Sequence, residues 1–562
     1  MDTYAASGEV VVNDWAGRLV PFPPEFVDRY RSGGLWGTRT ISAELHEVAS
    51  RRSSHVAVVT EDASLTYTEL DTATDRLALG LADLGLRPGD RVVVQLTNRL
   101  HSVVAWYGLL KAGLVPVCTL AAHRAHEIGS ISRKVGAGAH LVEWSPSGFD
   151  LVDFAMELQR EHPTVRHVLT TGAPGSAPGT AIERLVEGSD PVLAREQVDA
   201  IQSAIHADDI ACFQLSGGTT GVPKIIPRLH AEYWYNARAF AAASGWGDDT
   251  RVAHMIPLIH NAGITCALHS VHSVGGTLVL TTAVLDQALP VLAREGATDV
   301  LVGHGHYNVV QHPLFAEAMA AMKRVVLSGA KVPERVFKAF EEQGVWVGQK
   351  FGMGEGLFAI STPASSREAR LTTVGVPISP LDEVRVLEPG TETELPDGSV
   401  GELVCRGPYT LRGYFDAPEV NAVAFTSDGF YRTGDLVSIR NVDGERCISI
   451  EGRLKDLINR GGEKVSAEEV ELMLLRHPAI VAAAVVAMPD PRLGERACAF
   501  LVAAGEPLSM QEVQKHLESL ALAKFKWPER LEWVPRLPMT PVGKVDKKRL
   551  RVDISARVTS GG

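Results

Sequence analysis

The feature that most constrains the fold is a regular alternation of short apolar runs with longer helical stretches between about residues 55 and 330. Val56–Val59, 91–95, 115–117 and Thr277–Leu280 are rich in β-branched residues, which is typical of buried strands. Residues 70–84 are typical of the helical stretches that separate such runs. This order predicts parallel sheets whose faces are covered by helices.

The rest of the chain predicts further parts. With 562 residues the chain is too long for one core, so two or more domains are expected. Beyond residue 380 the pattern changes to strands and turns, and Asp443 and Gly444 form a hairpin signal. A smaller α+β unit is predicted from near Arg453. The predicted strands are 382–387, 401–405, 447–450 and 482–488, and the predicted helices are 467–476 and 509–520. Residues 1–50 are predicted to be irregular.

Composition excludes several classes of protein. A net charge of −12 argues against general nucleic-acid binding, and no apolar run approaches the about 18 residues of a membrane span. The first residues lack a basic-then-apolar leader, so a cytoplasmic location is expected. Six scattered cysteines without a C-x-x-C pair indicate reduced thiols rather than disulfides or a zinc site.

One loop has the residue types expected of a polyphosphate-binding site. Residues 216–224 read Ser-Gly-Gly-Thr-Thr-Gly-Val-Pro-Lys and follow the apolar run Ile210–Leu215, which predicts a buried strand. The glycines allow backbone N–H groups to approach an anion, while the hydroxyls and Lys224 add donors and positive charge. Pro223 precludes the P-loop pattern. A Gly/Thr-rich surface turn is the alternative interpretation.

Three further segments are weak signals one by one, and their order along the chain makes them informative. Glu355 stands among glycines after a possible strand, where a carboxylate can hold Mg²⁺ beside a triphosphate. Asp435 ends the run Tyr-Arg-Thr-Gly-Asp and could accept hydrogen bonds from two sugar hydroxyls. Residues 452–464 are rich in charge and glycine. Each also fits a solvated loop or a charged hairpin when taken alone.

Together these motifs resemble the adenylate-forming ligases: acyl-CoA synthetases, luciferases and peptide-synthetase adenylation domains. The resemblance covers roughly residues 65–550. It is carried by residues 65–70, 110–116, 216–224, 328–331 and 351–355, with Asp435, Arg453 and Lys544. Within that family the chain is most similar to freestanding aryl-acid adenylating enzymes of siderophore and antibiotic pathways, which act on 2,3-dihydroxybenzoate or salicylate. Residues 20–26, 28–31, 123–124, 224–230, 260–261, 406–409 and 458–464 carry this narrower resemblance.

The resemblance implies an α/β fold in two parts. Residues 1–454 would form an adenylation core of helix-covered sheets with a β-rich subdomain, and 455–562 a small mobile α+β domain that carries Lys544. An aryl acid would be activated by ATP with Mg²⁺ to aryl-AMP, with release of pyrophosphate, and a thiol would then accept the acyl group. Lys455 would be the hinge between the two half-reactions.

The resemblance also implies residue roles. The implied catalytic residues are Lys544, His260 and Glu355. Lys544 would stabilise charge at the α-phosphate, and Glu355 would be the Mg²⁺ ligand. Thr219, Thr220 and Lys224 would hold the β- and γ-phosphates, Asp435 and Arg453 the ribose, and Gly329, Ala330 and Phe351 the adenine. The implied nucleotide-binding set is Ser216, Gly217, Gly218, Thr219, Thr220, Gly221, Lys224, Gly329, Ala330, Lys331, Phe351, Gly352, Met353, Asp435 and Arg453. The implied thiol-transfer loop contains Gly461, Gly462 and Lys464.

The acid pocket is where the chain departs from the family. Its implied residues are Asn261, Ala262, Cys266, Lys350, Gly354, Phe358 and His304. Asn261 would accept from or donate to the ring's ortho-hydroxyl, and Cys266 or Thr265 could discriminate ring substituents. Lys350 replaces a small apolar residue. Because a buried charge is costly unless paired, Lys350 either points to water or faces an acceptor on the acid. The second alternative predicts a hydroxypicolinate, a hydroxyanthranilate or a bicyclic heteroaryl acid.

The thiol acceptor is expected to be a separate molecule. No phosphopantetheine attachment motif follows Lys544, so the resemblance favours an aryl carrier protein, with free CoA as the alternative. No nucleic-acid or membrane partner is expected, and the enzyme would be a monomer or a homodimer. A catalytically silent scaffold that only docks a carrier is a third hypothesis, against which the intact phosphate loop, Glu355, Asp435 and Lys544 count.

Overall fold

The computed structural model describes residue 15 and residues 17–145, 148–174, 177–216, 222–329, 332–461, 463–540 and 544–560. The chain divides into two compact units. The first contains Met1–Thr298, Met353–Gly356 and Pro408–Ala424; the second contains Asp299–Gly352, Leu357–Gly407 and Phe425–Gly562. The predicted boundary between residues 454 and 455 falls inside the second unit and stays a prediction.

The first unit is built on parallel strands covered by helices, which confirms the predicted α/β class. A seven-stranded sheet has the order Thr180–Ala181, His167–Thr171, Ala139–Glu143, Arg91–Leu96, Val115–Leu120, Ile210–Leu215, Ile225–Leu229, parallel except at the last pair. Four more strands follow the order Arg251–His254, Thr277–Leu280, Val56–Val59, Ser64–Thr66, with only the last pair antiparallel. The predicted strands fall within these bounds because continuous β-branched runs suit strands buried on both faces.

Helices surround these strands, and local capping sets where several begin. Thr66 and Glu69 form a capping box at the start of Tyr67–Asp83. Its Asp71 and Asp75 each accept from Lys111 Nζ over 2.5 Å, and Lys111 is fully buried in the neighbouring helix. The helices are Pro24–Ser32, Ile41–Arg51, Tyr67–Asp83, Leu100–Lys111, Ala125–Val135, Leu151–Glu161, Ile182–Gly188, Pro191–Ser203, His230–Ala243, Asn261–Gly263, Ser270–Ser273, Leu285–Arg294 and Pro418–Ala424, with a π-helix at Ile264–His269.

The prediction that residues 1–50 are irregular is wrong. Pro24–Ser32 starts with proline, which suits the first helical position because that residue needs no N–H partner. Ile41–Arg51 is capped by Thr40, whose Oγ1 accepts from Ala43 N–H over 3.2 Å. Ile41 and Leu45 are fully buried, so packing of one apolar face stabilises this helix.

The second unit combines three sheets. A mostly parallel set has the order Val376–Pro377, Gly356–Ile360, Trp346–Met353, Arg324–Ser328, Asp299–Gly303. An antiparallel sheet contains Glu383–Leu387, Gly401–Arg406, Tyr431–Val442 and Glu445–Arg453. A third sheet contains Glu463–Ser466, Leu457–Arg460, Gly494–Ala503, Ile480–Asp490 and Arg530–Trp533. Asp443 and Gly444 join two strands with positive φ values of 54° and 87°, which confirms the predicted hairpin.

Helices complete the second unit, and the α+β part predicted from near Arg453 is present. The helices are Phe315–Ala318, Glu334–Glu341, Arg367–Thr372, Ala467–Leu475, Met510–Ser519 and Lys547–Ser560, with 3₁₀ segments at His304–Gln311, Leu454–Asp456 and Lys524–Lys526. In both units together, the six cysteines are buried free thiols, as their scatter predicts. None of the described helices is long and apolar enough to cross a membrane.

Candidate active site

The predicted phosphate loop leaves the first unit's strand Ile210–Leu215, and its two ends are tied together. Ser216 N–H donates to the Lys224 carbonyl over 2.9 Å, and Lys224 N–H donates to Ser216 Oγ over 3.0 Å. Ser216 is buried, while the Lys224 side chain is exposed. Gly217, Gly218, Thr219, Thr220 and Gly221 lie outside the described residues. Their phosphate contacts therefore stay predictions.

Lys224 and Glu355 both contact one residue, Tyr414. Lys224 Nζ lies 4.6 Å from the centroid of the Tyr414 ring, and the Tyr414 hydroxyl donates to Glu355 Oε1 over 2.9 Å. The Glu355 carbonyl also accepts from Leu411 N–H over 2.7 Å. A cation and a carboxylate are thus fixed together next to the phosphate loop. Sequence reasoning missed Tyr414, because a lone tyrosine 59 residues after its partner gives no signal in the sequence.

The turn that carries Glu355 is anchored in the interior of the first unit. Arg228 Nη1 donates to the Gly354 carbonyl over 2.9 Å, and Arg228 Nη2 pairs with Glu232 Oε2 at 2.7 Å. Arg228 and Glu232 are only 1% and 3% exposed. Burial raises the pKa of Glu232 to about 7, against the opposing charge of Arg228. This buried pair holds the backbone just before the predicted metal ligand.

Glu355 fits the role of a Mg²⁺ ligand. Mg²⁺ is usually held by one or two carboxylates together with substrate phosphates, rather than by a cage of protein ligands. Within the described residues, no group of three or more His, Cys, Asp or Glu side chains could hold a metal ion alone. A half-buried carboxylate at the phosphate loop is therefore the donor set expected for a metal shared with a nucleotide.

The predicted acid-binding residues of the first unit surround Asn261. His260 Nδ1 accepts from Ala262 N–H over 3.3 Å and caps the short helix that Asn261 begins. Asn261 Oδ1 accepts from the Tyr233 hydroxyl at 3.0 Å and lies 3.4 Å from Thr265 Oγ1. Cys266, in the π-helix that follows, is buried. Whether Cys266 or Thr265 discriminates ring substituents stays a prediction.

Lys350 lies in the interior of the second unit. It is 5% exposed, and its Nζ lies 3.9 Å from the centroid of the Phe358 ring, a cation–π contact. A Cβ on Gly352 would come within 2.7 Å of Nζ and 2.4 Å of that ring, so only glycine leaves room for this pair. The alternative that Lys350 points to water is wrong. The alternative that it faces an acceptor on the acid stays a prediction.

His304, Gly329 and Lys544 lie in one region of the second unit. A Cβ on Gly329 would lie 3.4 Å from His304 Cβ, and Gly329 has a φ of +103°. Burial lowers the pKa of His304, and the charges of Lys547 and Lys544 lower it further, against the charge of Glu468. Lys544 is exposed and its N–H donates to Thr540 Oγ1. Ala330 and Lys331 lie outside the described residues.

Asp435 and Arg453, the two residues predicted to hold the ribose, form an ion pair with each other, and their role toward the ribose stays a prediction. Asp435 and Arg453 face each other on paired strands, with Arg453 Nε 2.9 Å from Asp435 Oδ1. Asp435 is buried and Arg453 is exposed, so the pair presents one open side. Phe351 and Met353 are half-buried near the end of strand Trp346–Met353.

The hinge and transfer-loop residues follow Arg453 in the chain. Lys455 lies in the 3₁₀ segment Leu454–Asp456. Gly461 takes a φ of +60° and donates its N–H to the Leu493 carbonyl over 2.8 Å. Gly462 and the side chain of Lys464 lie outside what the structure describes. The roles of these residues stay predictions.

Comparison with known proteins gives matches along most of the chain. The family model described as AMP-binding enzyme matches residues 45–415, and the AMP-binding enzyme C-terminal domain matches residues 469–544. Triostin synthetase I of Streptomyces triostinicus is 41% identical over 95% of this chain and 98% of its own length. The salicylyl-CoA synthase / salicylate adenylyltransferase of a Streptomyces species is 39% identical over 96% and 98%.

Two further matches come from mycobacteria. The salicyl-AMP ligase / salicyl-S-ArCP synthetase of Mycobacterium tuberculosis is 36% identical over 95% of this chain and 94% of its own length. The apo structure of Mycobacterium smegmatis MbtA has a TM-score of 0.71 and 36% identity, covering 96% of this chain and 99% of that one. The likeness therefore extends through both compact units.

Proposed function

Because this chain belongs to the AMP-binding enzyme family, we propose that it activates an aryl or heteroaryl carboxylic acid with ATP and passes it to a thiol. In the first step a carboxylate oxygen attacks the α-phosphorus of ATP, and pyrophosphate leaves. In the second step a thiol sulfur attacks the carbonyl carbon of the acyl-AMP, and AMP leaves. Both displacements depend on positioning and charge stabilisation, with little need for a covalent protein nucleophile.

The observation that carries this proposal is the Lys224–Tyr414–Glu355 cluster. Lys224 supplies positive charge for the β- and γ-phosphates, and Glu355 supplies an oxygen ligand for Mg²⁺. Bound Mg²⁺ would neutralise charge on the phosphates of ATP. Tyr414 keeps the ammonium and the carboxylate at a set separation, so the nucleotide meets a prepared site rather than two mobile side chains.

The other predicted residues take separate parts in the two steps. Asp435, with Arg453 paired to it, would accept from the ribose hydroxyls. Lys544 would stabilise the charge that develops at the α-phosphate, and His260 would shape the mouth of the acid site. Loss of a contact of this kind raises the barrier by about 3–4 kcal/mol.

A separate aryl carrier protein of nonribosomal peptide synthesis, in a siderophore or antibiotic pathway, is the proposed acceptor. The name salicyl-S-ArCP synthetase of one relative supports a carrier, and the name salicylyl-CoA synthase of another supports the alternative of free CoA. The two are separated by measuring AMP release with CoA alone and with a phosphopantetheinylated aryl carrier protein. Acceleration by CoA alone, equal to that by the carrier, would favour the CoA ligase.

The decisive test separates the half-reactions. Purified protein should exchange labelled pyrophosphate into ATP only when an accepted aryl acid is present. Lys544→Ala should abolish this exchange yet still transfer acyl groups from preformed acyl-AMP to the thiol, whereas Lys548→Ala, a nearby exposed lysine, should change neither. Absence of exchange with every acid of a wide panel would support the silent scaffold and overturn the proposal.

A further inference from the structure

The segment that carries Lys544 is a hairpin whose two arms are tied together at the base. The Lys544 carbonyl accepts from Thr540 N–H over 2.6 Å, and Lys544 N–H donates to Thr540 Oγ1 over 3.1 Å. One residue further from the tip, Met539 and Val545 form an antiparallel bridge. The backbone at Lys544 is therefore fixed to its hairpin, so the placement of the Lys544 ammonium depends on what holds the hairpin.

An ion pair holds the chain at the point where this hairpin runs into the last helix. Lys547, the first residue of that helix, places its Nζ 2.7 Å from Glu471 Oε1. The same oxygen accepts from Val485 N–H over 2.6 Å. The side chains of Lys547 and Glu471 are only 19% and 13% exposed, so water and salt screen this pair less than a surface pair. The anchor lies three residues after Lys544.

The anchor and the predicted catalytic lysine lie in the same region. The charges of Lys544 and Lys547 both lower the pKa of His304, so both ammonium groups lie within electrostatic reach of that histidine. A shift of Lys547 would therefore displace the hairpin exactly where Lys544 is predicted to act.

The anchor depends on the charge of Glu471. Burial raises the pKa of Glu471 to about 6, and the charge of Glu468 on the same helix raises it as well. The Lys547 ammonium and Val485 N–H oppose this rise. The carboxyl group is thus ionised at neutral pH and becomes neutral as the pH falls below about 6, which removes its attraction for Lys547.

We infer that Glu471 is a positioning residue for the adenylation step, because it holds Lys547 and thereby the hairpin that presents Lys544. The inference rests on the proposed function, which gives Lys544 its role in the first half-reaction. Transfer to the thiol does not use Lys544 in that proposal, so Glu471 should matter for the first step alone.

Glu471→Gln tests the inference, since it keeps an acceptor for Val485 N–H and removes the charge. At about pH 7.5 the kcat of pyrophosphate exchange should fall about tenfold or more, because a small misplacement of a catalytic group is costly. The KM values for ATP and the acid should change less than about threefold, since Lys544 acts on charge that develops in the transition state. Transfer from preformed acyl-AMP should stay within about threefold of the wild type.

The pH profile separates positioning from a general loss of structure. The deficit of Glu471→Gln relative to the wild type should shrink as the pH falls below about 6, because the wild-type side chain is then uncharged too. A merely structural effect would leave a deficit of the same size at every pH.

The same helix offers a matched control. Glu469 pairs with Lys526 over 2.7 Å, so Glu469→Gln removes a similar ion pair at a different anchor. It should leave exchange within about twofold of the wild type at every pH. From the other side of the proposed anchor, Lys547→Arg should retain exchange and Lys547→Met should reproduce the Glu471→Gln deficit. The double variant should lose no more than either single change, because both remove one interaction.

The outcomes distinguish the inference from the proposed function. If Lys544→Ala abolishes exchange but Glu471→Gln and Lys547→Met keep it, or show a deficit that does not vary with pH, the inference is overturned and the proposed function stands. If Glu471→Gln does not fold, the comparison of Lys547→Arg with Lys547→Met decides in the same way. If Lys544→Ala retains exchange, or if no acid supports exchange in the wild type, the proposed function fails and the inference fails with it.

Discussion

Lys350 brings a positive charge into the interior of the second unit, where its ammonium lies over the ring of Phe358. A hydrogen bond between a charged group and an acceptor contributes roughly 1.5–3 kcal/mol, which corresponds to a roughly 10- to 100-fold change in binding affinity. We therefore predict that Lys350→Leu lowers kcat/KM for acids with a second acceptor, such as 3-hydroxypicolinate, about tenfold relative to salicylate. Pyrophosphate exchange across an aryl-acid panel measures this preference.

The matched control for Lys350→Leu is Lys338→Leu, because it removes the same charge from an exposed helix position of the same unit. The control should leave the order of preferred acids as it is in the wild type. If Lys350→Leu also leaves that order unchanged, Lys350 does not contact the acid, and its charge serves the packing around Phe358 alone.

The segment Pro408–Ala424 belongs to the first unit although it lies far from most of that unit in sequence. Its Tyr414 joins Lys224 to Glu355 through two different parts of one side chain, the ring and the hydroxyl. Tyr414→Phe keeps the ring and removes the hydroxyl. We expect this variant to need at least about tenfold more Mg²⁺ for half-maximal activity, since a hydrogen bond to a charged group contributes about 1.5–3 kcal/mol. Magnesium titration of pyrophosphate exchange is the measurement.

The matched control is Tyr409→Phe in the same segment, a tyrosine that is also 1% exposed. It should leave the magnesium requirement within about twofold of the wild type. A Tyr414→Phe enzyme with lower activity but an unchanged magnesium requirement would mean that Tyr414 stabilises the fold without positioning Glu355.

Elements with continuous apolar β-branched composition could be predicted from the sequence almost to the residue, as for Val56–Val59, Ile210–Leu215 and Thr277–Leu280. Helices Pro24–Ser32 and Ile41–Arg51 could not, because their composition is mixed and their stability depends on a cap and on one buried face. Glu355, in a turn, and Asp435, on strand Tyr431–Val442, became candidate site residues through the order of the motifs along the chain.

The contacts that orient these site residues could not be predicted, because they join side chains distant in sequence. Tyr233 lies 28 residues from Asn261, and Tyr414 lies 59 residues from Glu355. Neither tyrosine belongs to a motif that names its partner. Tyr233 also contacts Gln214, so the side chain that lies against Asn261 is itself positioned by a third residue outside its motif.

At the scale of the whole molecule, buried histidines make stability depend on pH. Burial lowers the pKa of His140 and of His230 to about 3 and that of His272 to about 4, all in the first unit. Below pH 6.5 the unfolded chain binds protons that the folded chain does not, so stability is complete above pH 6.5 and falls as the pH drops toward 4. Each such histidine contributes about 1.4 kcal/mol per pH unit in that window.

We predict that His140→Gln makes the fall in unfolding free energy between pH 6 and pH 5 shallower by about 1.4 kcal/mol per pH unit. Urea unfolding at several pH values measures the slope for the wild type and the variant. His206→Gln changes an exposed histidine of the same unit and should keep the wild-type slope. Equal slopes for wild type and His140→Gln would show that His140 takes up a proton in the folded protein.

The domain movement that we propose between the two half-reactions has its hinge at Lys455. It lies in the 3₁₀ segment Leu454–Asp456, which joins two sheets of the second unit, and Arg551 both donates to its carbonyl and pairs with Asp456. In this arrangement Lys544 lies close enough to His304 for its charge to lower the pKa of that histidine. Because Lys544 is predicted to act in the first step and His304 to line the acid pocket, we predict that this conformation serves adenylation. Fixing the segment should then preserve the first step and block the second.

Proline at position 455 would hold φ near −65°, the value of a 3₁₀ turn, and would oppose rotation about φ at that residue. We therefore expect Lys455→Pro to keep pyrophosphate exchange within about threefold of the wild type while transfer to the thiol falls by tenfold or more, since a blocked hinge removes one conformation from the cycle. Single-turnover transfer from preformed acyl-AMP measures the second step, and Lys455→Ala controls for loss of the side chain. Equal damage to both steps would place the pivot elsewhere, because a hinge that serves one conformational change cannot limit both half-reactions alike.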